Sequence, residues 1–261
     1  MLRTRIITAV SALLVVGLVL FVVPAPAAEA VIGALILAGA WEWSGFLGST
    51  TAAPRIAYVV LIGALCAVLY FQMPAIEAAV FRAAIVWWLA AFIWTMFYPT
   101  PIPVVLRWIC GALVLVPLFA ALIVLYRLGP LYLLVALVIV WAADAGAYFA
   151  GKQFGRVKLA PSISPGKTWE GVIGGLFVVL VLATGVAIWA KEPIAVLLPF
   201  CLAIAAVSVV GDLTVSMFKR TAGVKDSGKF FPGHGGVLDR IDSVAAAAPL
   251  FALGLTWLRL V

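Results

Sequence analysis

Apolar positions run along this chain in blocks about as long as the roughly 20 helical residues needed to cross a hydrocarbon core. The blocks at 6–23, 28–47, 55–73, 80–98, 104–126, 130–150, 171–190, 194–218 and 243–260 predict an all-α fold. Backbone polar groups in lipid must pair within their own segment, so the expectation is a polytopic integral membrane helical bundle with about nine transmembrane helices. Pro99, Pro101, Pro103 and Pro117 blur the middle of the chain and leave the count open by one. Membrane β-strands would alternate polar and apolar residues, and these blocks do not. Polar residues gather instead in two loops, 151–170 and 219–242.

Composition sharpens this picture. The hydrophobic fraction is 66% and the charged fraction 10%, with a mean hydropathy of +1.25. The chain reads as one membrane domain over 1–261, with 1–130 mostly scaffold and lipid-facing helices and 131–261 the catalytic half. Cys66, Cys110 and Cys201 all fall in apolar blocks, which argues against a disulfide framework, and one histidine leaves no zinc site. The net charge of +7 sits in membrane-flanking loops, not along a soluble face, which argues against nucleic acid. Arg3, Arg5 and Ala28-Glu29-Ala30 resemble a signal peptide, but the apolar stretch exceeds the usual 7–15 residues, so an uncleaved first span is expected. With the N-terminus in the cytoplasm, thirteen Lys and Arg fall on that side and Arg82, Arg127, Lys191 and Arg259 on the other. This positive-inside bias places both polar loops in the cytoplasm, where nucleoside triphosphates are available.

The acids inside or beside apolar blocks are the candidate chemistry. Asp212, Ser216, Lys219 and Arg220 fall at i, i+4, i+7 and i+8, one face of a helix, and Asp144, Tyr148 and Lys152 repeat the spacing. A carboxylate that deep in an apolar run costs roughly 2.5–3.5 kcal/mol at helix centre, so it usually lines a cavity; an interhelical hydrogen bond is the plainer reading. Asp239 and Asp242 open the last helix at i, i+3, where simple N-capping competes with a ligand role. Carboxylates without a cysteine or histidine cluster suit Mg²⁺ bridging phosphates. In the other loop, Gly166-Lys167-Thr168 mimics a P-loop, yet Pro161 stands where the pattern needs glycine and no strand precedes it. Ser162, Ser164, Lys167 and Thr168 still offer hydroxyls and a cation to phosphates. Gly171 and Gly175 form a small-xxx-small pair suited to close helix packing. His234 reads as a hydrogen-bond donor or loop-orienting residue more than a base, and Glu42 as either a structural pair or a site residue.

The segment Ser216-x-x-Lys219-Arg220-x4-Lys225-Asp226-x5-Pro232-Gly233-His234-Gly235-Gly236-x-x-Asp239-Arg240-x-Asp242 resembles the signature of the phosphatidate cytidylyltransferase (CDP-diacylglycerol synthase) family of bacterial type. Ser164-Pro165-Gly166-Lys167-Thr168-Trp169-Glu170-Gly171 and Asp144 followed by Tyr148 are similar to it as well. The resemblance implies cytidylyl transfer from CTP to phosphatidic acid, giving CDP-diacylglycerol and pyrophosphate. It also implies a metal-dependent homodimer in the inner membrane, with Mg²⁺ as cofactor and a second cation left open. Asp212 and Asp239 are then the metal ligands, and Lys219, Arg220 and Asp242 share in catalysis. Substrate binding falls to Ser216, Lys225, Asp226, Lys229, His234, Arg240, Ser164, Lys167, Thr168 and Asp144, with Lys225, Lys229 and Lys167 on the β and γ phosphates. Two other classes compete: a CTP-dependent lipid-alcohol kinase, which would need a base, and a transporter, which would spread polar residues about the bilayer midplane.

Overall fold

The computed structural model describes residues 2–48, 51–73, 75–191, 193–228, 230 and 235–258, with the side chains of 2–10 and 12 outside that set. Among the described residues are nine α-helices: α1 (Leu2–Phe21), α2 (Ala25–Ser44), α3 (Ala52–Gln72), α4 (Glu77–Met96), α5 (Val104–Leu128), α6 (Pro130–Phe154), α7 (Trp169–Ala190), α8 (Ile194–Thr221) and α9 (Leu238–Trp257). Seven of them, α2 to α8, are long and apolar enough to cross a membrane. The protein is thus a polytopic membrane bundle, as the hydropathy blocks predicted. Pro103 supplies the N-cap of α5, and Pro117 lies buried inside it without breaking it. Membrane helices tolerate such a proline where neighbours satisfy the freed carbonyl.

One element departs from the expected loop at 151–170. α6 runs on to Phe154, and β1 (Lys158–Ala160) pairs antiparallel with β2 (Ser164–Thr168), Lys158 facing Thr168 and Ala160 facing Ser164. The hairpin leads directly into α7. Thr168 is the N-cap, its hydroxyl accepting from Gly171 N–H at 3.1 Å, while the Glu170 carboxylate accepts from Val157 N–H at 3.1 and 3.2 Å. The Thr168 contact satisfies a donor that a helix start leaves without a partner.

The chain divides into two compact units, each assembled from segments of both sequence halves. The first comprises 1–80, 101–134 and 218–241. In it, Ile36, Trp43, Tyr58, Ile62, Leu115 and Leu118 are fully buried where α2, α3 and α5 pack together. Gly111 lets α5 approach: a methyl group there would strike the Tyr58 hydroxyl and the Trp43 indole. The Trp43 indole N–H donates to Arg107 O at 2.9 Å, and its ring lies 4.9 Å from that of Phe218. At the N-terminal end of α2, the Arg127 guanidinium grips both Glu29 oxygens at 2.7 and 3.0 Å, and the Tyr70 hydroxyl donates to the same carboxylate at 2.7 Å.

The second unit comprises 81–100, 135–217 and 242–261. Here α6 and α7 touch through glycine. A methyl at Gly171 would sit 2.9 Å from Ala147 O, one at Gly175 2.5 Å from Ala143 O, and one at Gly146 3.0 Å from the Gly175 Cα. The close packing expected of Gly171 and Gly175 is present on α7. Gly175→Ala should therefore cost about 1–3 kcal/mol through overpacking against backbone that cannot yield. Gly185→Ala, which meets nothing within 4 Å, should leave thermal unfolding in detergent unchanged or slightly improved. Equal melting of the two variants would contradict the packing argument. α8 and α9 meet in the same manner at Gly211, whose added methyl would press on Asp242 O and lie 3.0 Å from the Ala246 Cβ.

Candidate active site

The polar residues named from the sequence gather in two constellations, one in each unit. The first forms on α8 and the hairpin. Asp212, near the C-terminal end of a 28-residue helix, is half-buried; its Oδ1 accepts from the Ser216 hydroxyl at 3.1 Å, one helical turn on. Its Oδ2 pairs with the Lys167 ammonium at 2.5 Å, each side chain retaining 26% exposure. Lys167 reaches Asp212 because β2 holds it two residues past Pro165, at the base of α7. An acid, a hydroxyl and a cation thus meet at a spot still open to solvent. Ser164 lies half-buried on β2, while the buried Thr168 hydroxyl is engaged as the cap of α7.

The second constellation joins the C-terminal end of α8 to the start of α9. α8 closes in a Schellman motif: Val224 N–H donates to Lys219 O and Gly223 N–H to Arg220 O, both at 3.0 Å, with Gly223 at φ +73°. Only glycine adopts that φ without strain, so the turn just past Lys219 and Arg220 is fixed by residue type. Lys219 is buried and donates to Asp239 Oδ1 at 2.7 Å, both side chains only 8% exposed. Asp239 Oδ2 accepts from Ser227 N–H and Gly236 N–H, each at 2.9 Å. Burial pushes the Asp239 carboxyl upward, but the Lys219 hydrogen bond and charge, with the Gly236 and Ser227 amides, outweigh it and hold the group below the usual aspartate range. Gly236 lies two residues ahead of α9, so its N–H belongs to the turn before the helix. The buried lysine goes beyond capping.

Gly235 (φ +80°) completes this arrangement; a methyl there would lie 2.5 Å from Asp239 Oδ2 and 3.6 Å from the Asp226 Cβ. Lys225, Asp226 and Arg240 are exposed around it. Arg220 is half-buried and donates to Val224 O at 3.3 Å. Asp242 is buried in the second unit, its Oδ1 accepting from Ser243 N–H at 2.8 Å. Asp144 stands on an exposed side of α6 with Tyr148 and Lys152, the Lys152 ammonium lying 5.9 Å from the Tyr148 ring centre. Lys229 and His234 lie outside the described residues.

Two further residues belong to this region, Glu42, which the sequence leaves open between a structural pair and a site role, and Ser227. Glu42 at the C-terminal end of α2 accepts from the Ser227 hydroxyl and from Val237 and Leu238 N–H. Nothing local marks Ser227.

Among the described residues, no group of three or more His, Cys, Asp or Glu side chains forms a cage for a metal ion. The donor chemistry does fit a hard cation that arrives on a polyphosphate, because Mg²⁺ is commonly held by one or two carboxylates together with substrate phosphates.

Comparison with known proteins covers nearly the whole chain. A family model described as the cytidylyltransferase family matches residues 3–258. The phosphatidate cytidylyltransferase of Pseudomonas aeruginosa is 42% identical over 266 residues, covering 98% of this chain and 97% of that protein. The protein of the same name from Haemophilus influenzae is 37% identical over 281 residues, with 97% and 98% covered. That of Bacillus subtilis is 47% identical over 123 residues, 46% of each chain.

Proposed function

Because this chain belongs to the cytidylyltransferase family, we propose that it transfers the cytidylyl group of CTP to phosphatidic acid, releasing CDP-diacylglycerol and pyrophosphate. The observation that carries this reading is the pairing of both candidate metal-binding carboxylates with a lysine, Asp212 with Lys167 and Asp239 with Lys219. Both substrates are anions, and such a site can offer charge of either sign without importing a base.

A phosphate oxygen of the lipid attacks the α-phosphorus of CTP. The new O–P bond forms as the bond to the β-phosphate oxygen breaks, and the electron pair leaves on pyrophosphate. A phosphomonoester has a second pKa of about 6, so its nucleophilic dianion is present near neutral pH without a dedicated base. Catalysis then consists of alignment and charge neutralisation. Lys167 and Lys219 lower the cost of bringing the anions together, and exposed Lys225 contacts the β and γ phosphates. Asp212 and Asp239 would each offer a carboxylate to Mg²⁺, which when bound neutralises phosphate charge and polarises the α-phosphoryl group.

The excess of Lys and Arg on one set of loops supports an active site facing the cytoplasm, and the chain would work as a homodimer in the inner membrane. The reading is tested by supplying purified protein in detergent with CTP, Mg²⁺ and either phosphatidic acid or diacylglycerol. Pyrophosphate should appear in equal amount with CDP-lipid, and only with phosphatidic acid. Release of CDP with diacylglycerol as acceptor would make the protein a kinase instead. Lys225→Ala should raise the KM for CTP about tenfold, the scale of one lost charge-assisted contact, with the KM for phosphatidic acid little changed. The reverse pattern would reassign Lys225 to the lipid head group.

A further inference from the structure

We propose that Glu42 is a positioning residue for this reaction: a buried carboxylate from α2 that braces the segment carrying Asp239. The inference builds on the cytidylyltransferase reading of the site. Glu42 is 8% exposed, and its two oxygens take three donors. Ser227 O–H reaches Oε2 at 2.8 Å, Val237 N–H reaches Oε1 at 2.9 Å, and Leu238 N–H reaches Oε2 at 2.8 Å. Val237 and Leu238 enter α9, where backbone N–H groups have no intrahelical partner. A local Ser, Thr, Asn or Asp usually takes such donors. Here Val237 precedes the helix, and the acceptor comes from 195 and 196 residues earlier in the chain.

The brace and the candidate catalytic acid divide one small set of donors. Of three consecutive amides, Gly236 N–H goes to Asp239, whereas Val237 and Leu238 N–H go to Glu42. Ser227 is shared as well, its N–H on Asp239 and its hydroxyl on Glu42. Two glycines make room: a methyl at Gly228 or at Gly236 would collide with the Glu42 carboxylate. Glu42 therefore fixes both stretches of chain whose amides hold Asp239 in place, without touching Asp239. Removing it frees Ser227 and the entry to α9, so Asp239 loses its aim although its lysine partner remains.

The test uses full-length protein in detergent, with Glu42→Ala, Glu42→Gln, Ser227→Ala and the double variant E42A/S227A. Glu42→Ala should lower kcat about 100-fold, the cost of misplacing a reacting group by an ångström or so, while the KM for phosphatidic acid stays within about twofold. Amide exchange at Val237 and Leu238 should quicken at least about tenfold, with the α3 and α5 core unchanged. Ser227→Ala should cost about threefold, one neutral hydrogen bond. The double variant should match Glu42→Ala alone, because that hydroxyl acts through Glu42. Should Glu42→Ala not fold, Glu42→Gln carries the test, with an intermediate loss and the same local loosening. Wild-type kcat in Glu42→Gln, exchange that rises evenly along the chain, or losses that multiply in the double variant would each overturn the proposal. The exchange readout needs no substrate, so failure of the cytidylyl-transfer reading would appear separately, as a wild-type protein that forms no CDP-lipid.

Discussion

Replacing Asp239 with asparagine should reduce turnover by about 10²–10³-fold, the loss typical of removing one preorganised charge-stabilising group, and should also weaken the fold. The second effect follows from burial. Lys219 and Asp239 are each 8% exposed and 2.7 Å apart, so the asparagine leaves a buried ammonium facing a neutral amide. Breaking one side of such a pair costs about 3–5 kcal/mol, because the remaining charge has no water to turn to. The amide oxygen can still accept up to two of the three donors that Asp239 now serves, which places the expected loss at the lower end. Adding Lys219→Met removes the stranded charge, so the double variant should recover most of the thermal stability and none of the activity. Stability in the double variant equal to that of Asp239→Asn alone would show that the pair is not the source of the loss.

Asp212→Asn should impair turnover by a similar factor, about 10²–10³-fold, yet leave the fold nearly intact. Its pair with Lys167 retains 26% exposure on both sides, and ion pairs this accessible contribute roughly 0–1 kcal/mol once solvent screening is counted. Ser216 O–H can donate to the asparagine oxygen as it does to the carboxylate. The two substitutions, alike in chemistry, thus separate in a melting experiment and agree in an activity assay. A large drop in melting temperature for Asp212→Asn would recast that acid as structural, and near-normal turnover would remove it from the site.

What the sequence could tell was set by the range of the forces involved. Helix extents follow from hydropathy, a local property, and the blocks 104–126 and 194–218 differ from α5 and α8 by three residues or fewer at either end. The stripe Asp212–Ser216 is likewise local, and its hydrogen bond is present. The hairpin escaped notice because Pro161, Pro165 and Gly166 read as loop, and strands of three and five residues are too short for a periodic signal. Pairings across the chain were beyond reach. Lys167 was read as a phosphate ligand, with no means of seeing that it rests on Asp212, and Lys219 was placed on a stripe without its partner 20 residues away. Glu42 is the extreme case: its donors lie 185 to 196 residues along the chain, and only the packed backbone brings them to it.

The same distinction separates the two demands that Asp239 meets. The Gly236 amide is a local demand of the turn into α9, and the Asp239 carboxylate meets it. The buried lysine is a tertiary demand, and it sets a positive charge against the same carboxylate. A position that serves both is rigid, which would suit the role proposed for Asp239 at a reacting phosphorus.

The central claim, that the α-phosphorus of CTP moves to a lipid phosphate, is tested most directly by following its label. Purified protein in lipid micelles containing phosphatidic acid should transfer ³²P from α-labelled CTP into the lipid phase, and none from γ-labelled CTP. Label that enters lipid only from the γ position, or that stays wholly in water, would contradict the account.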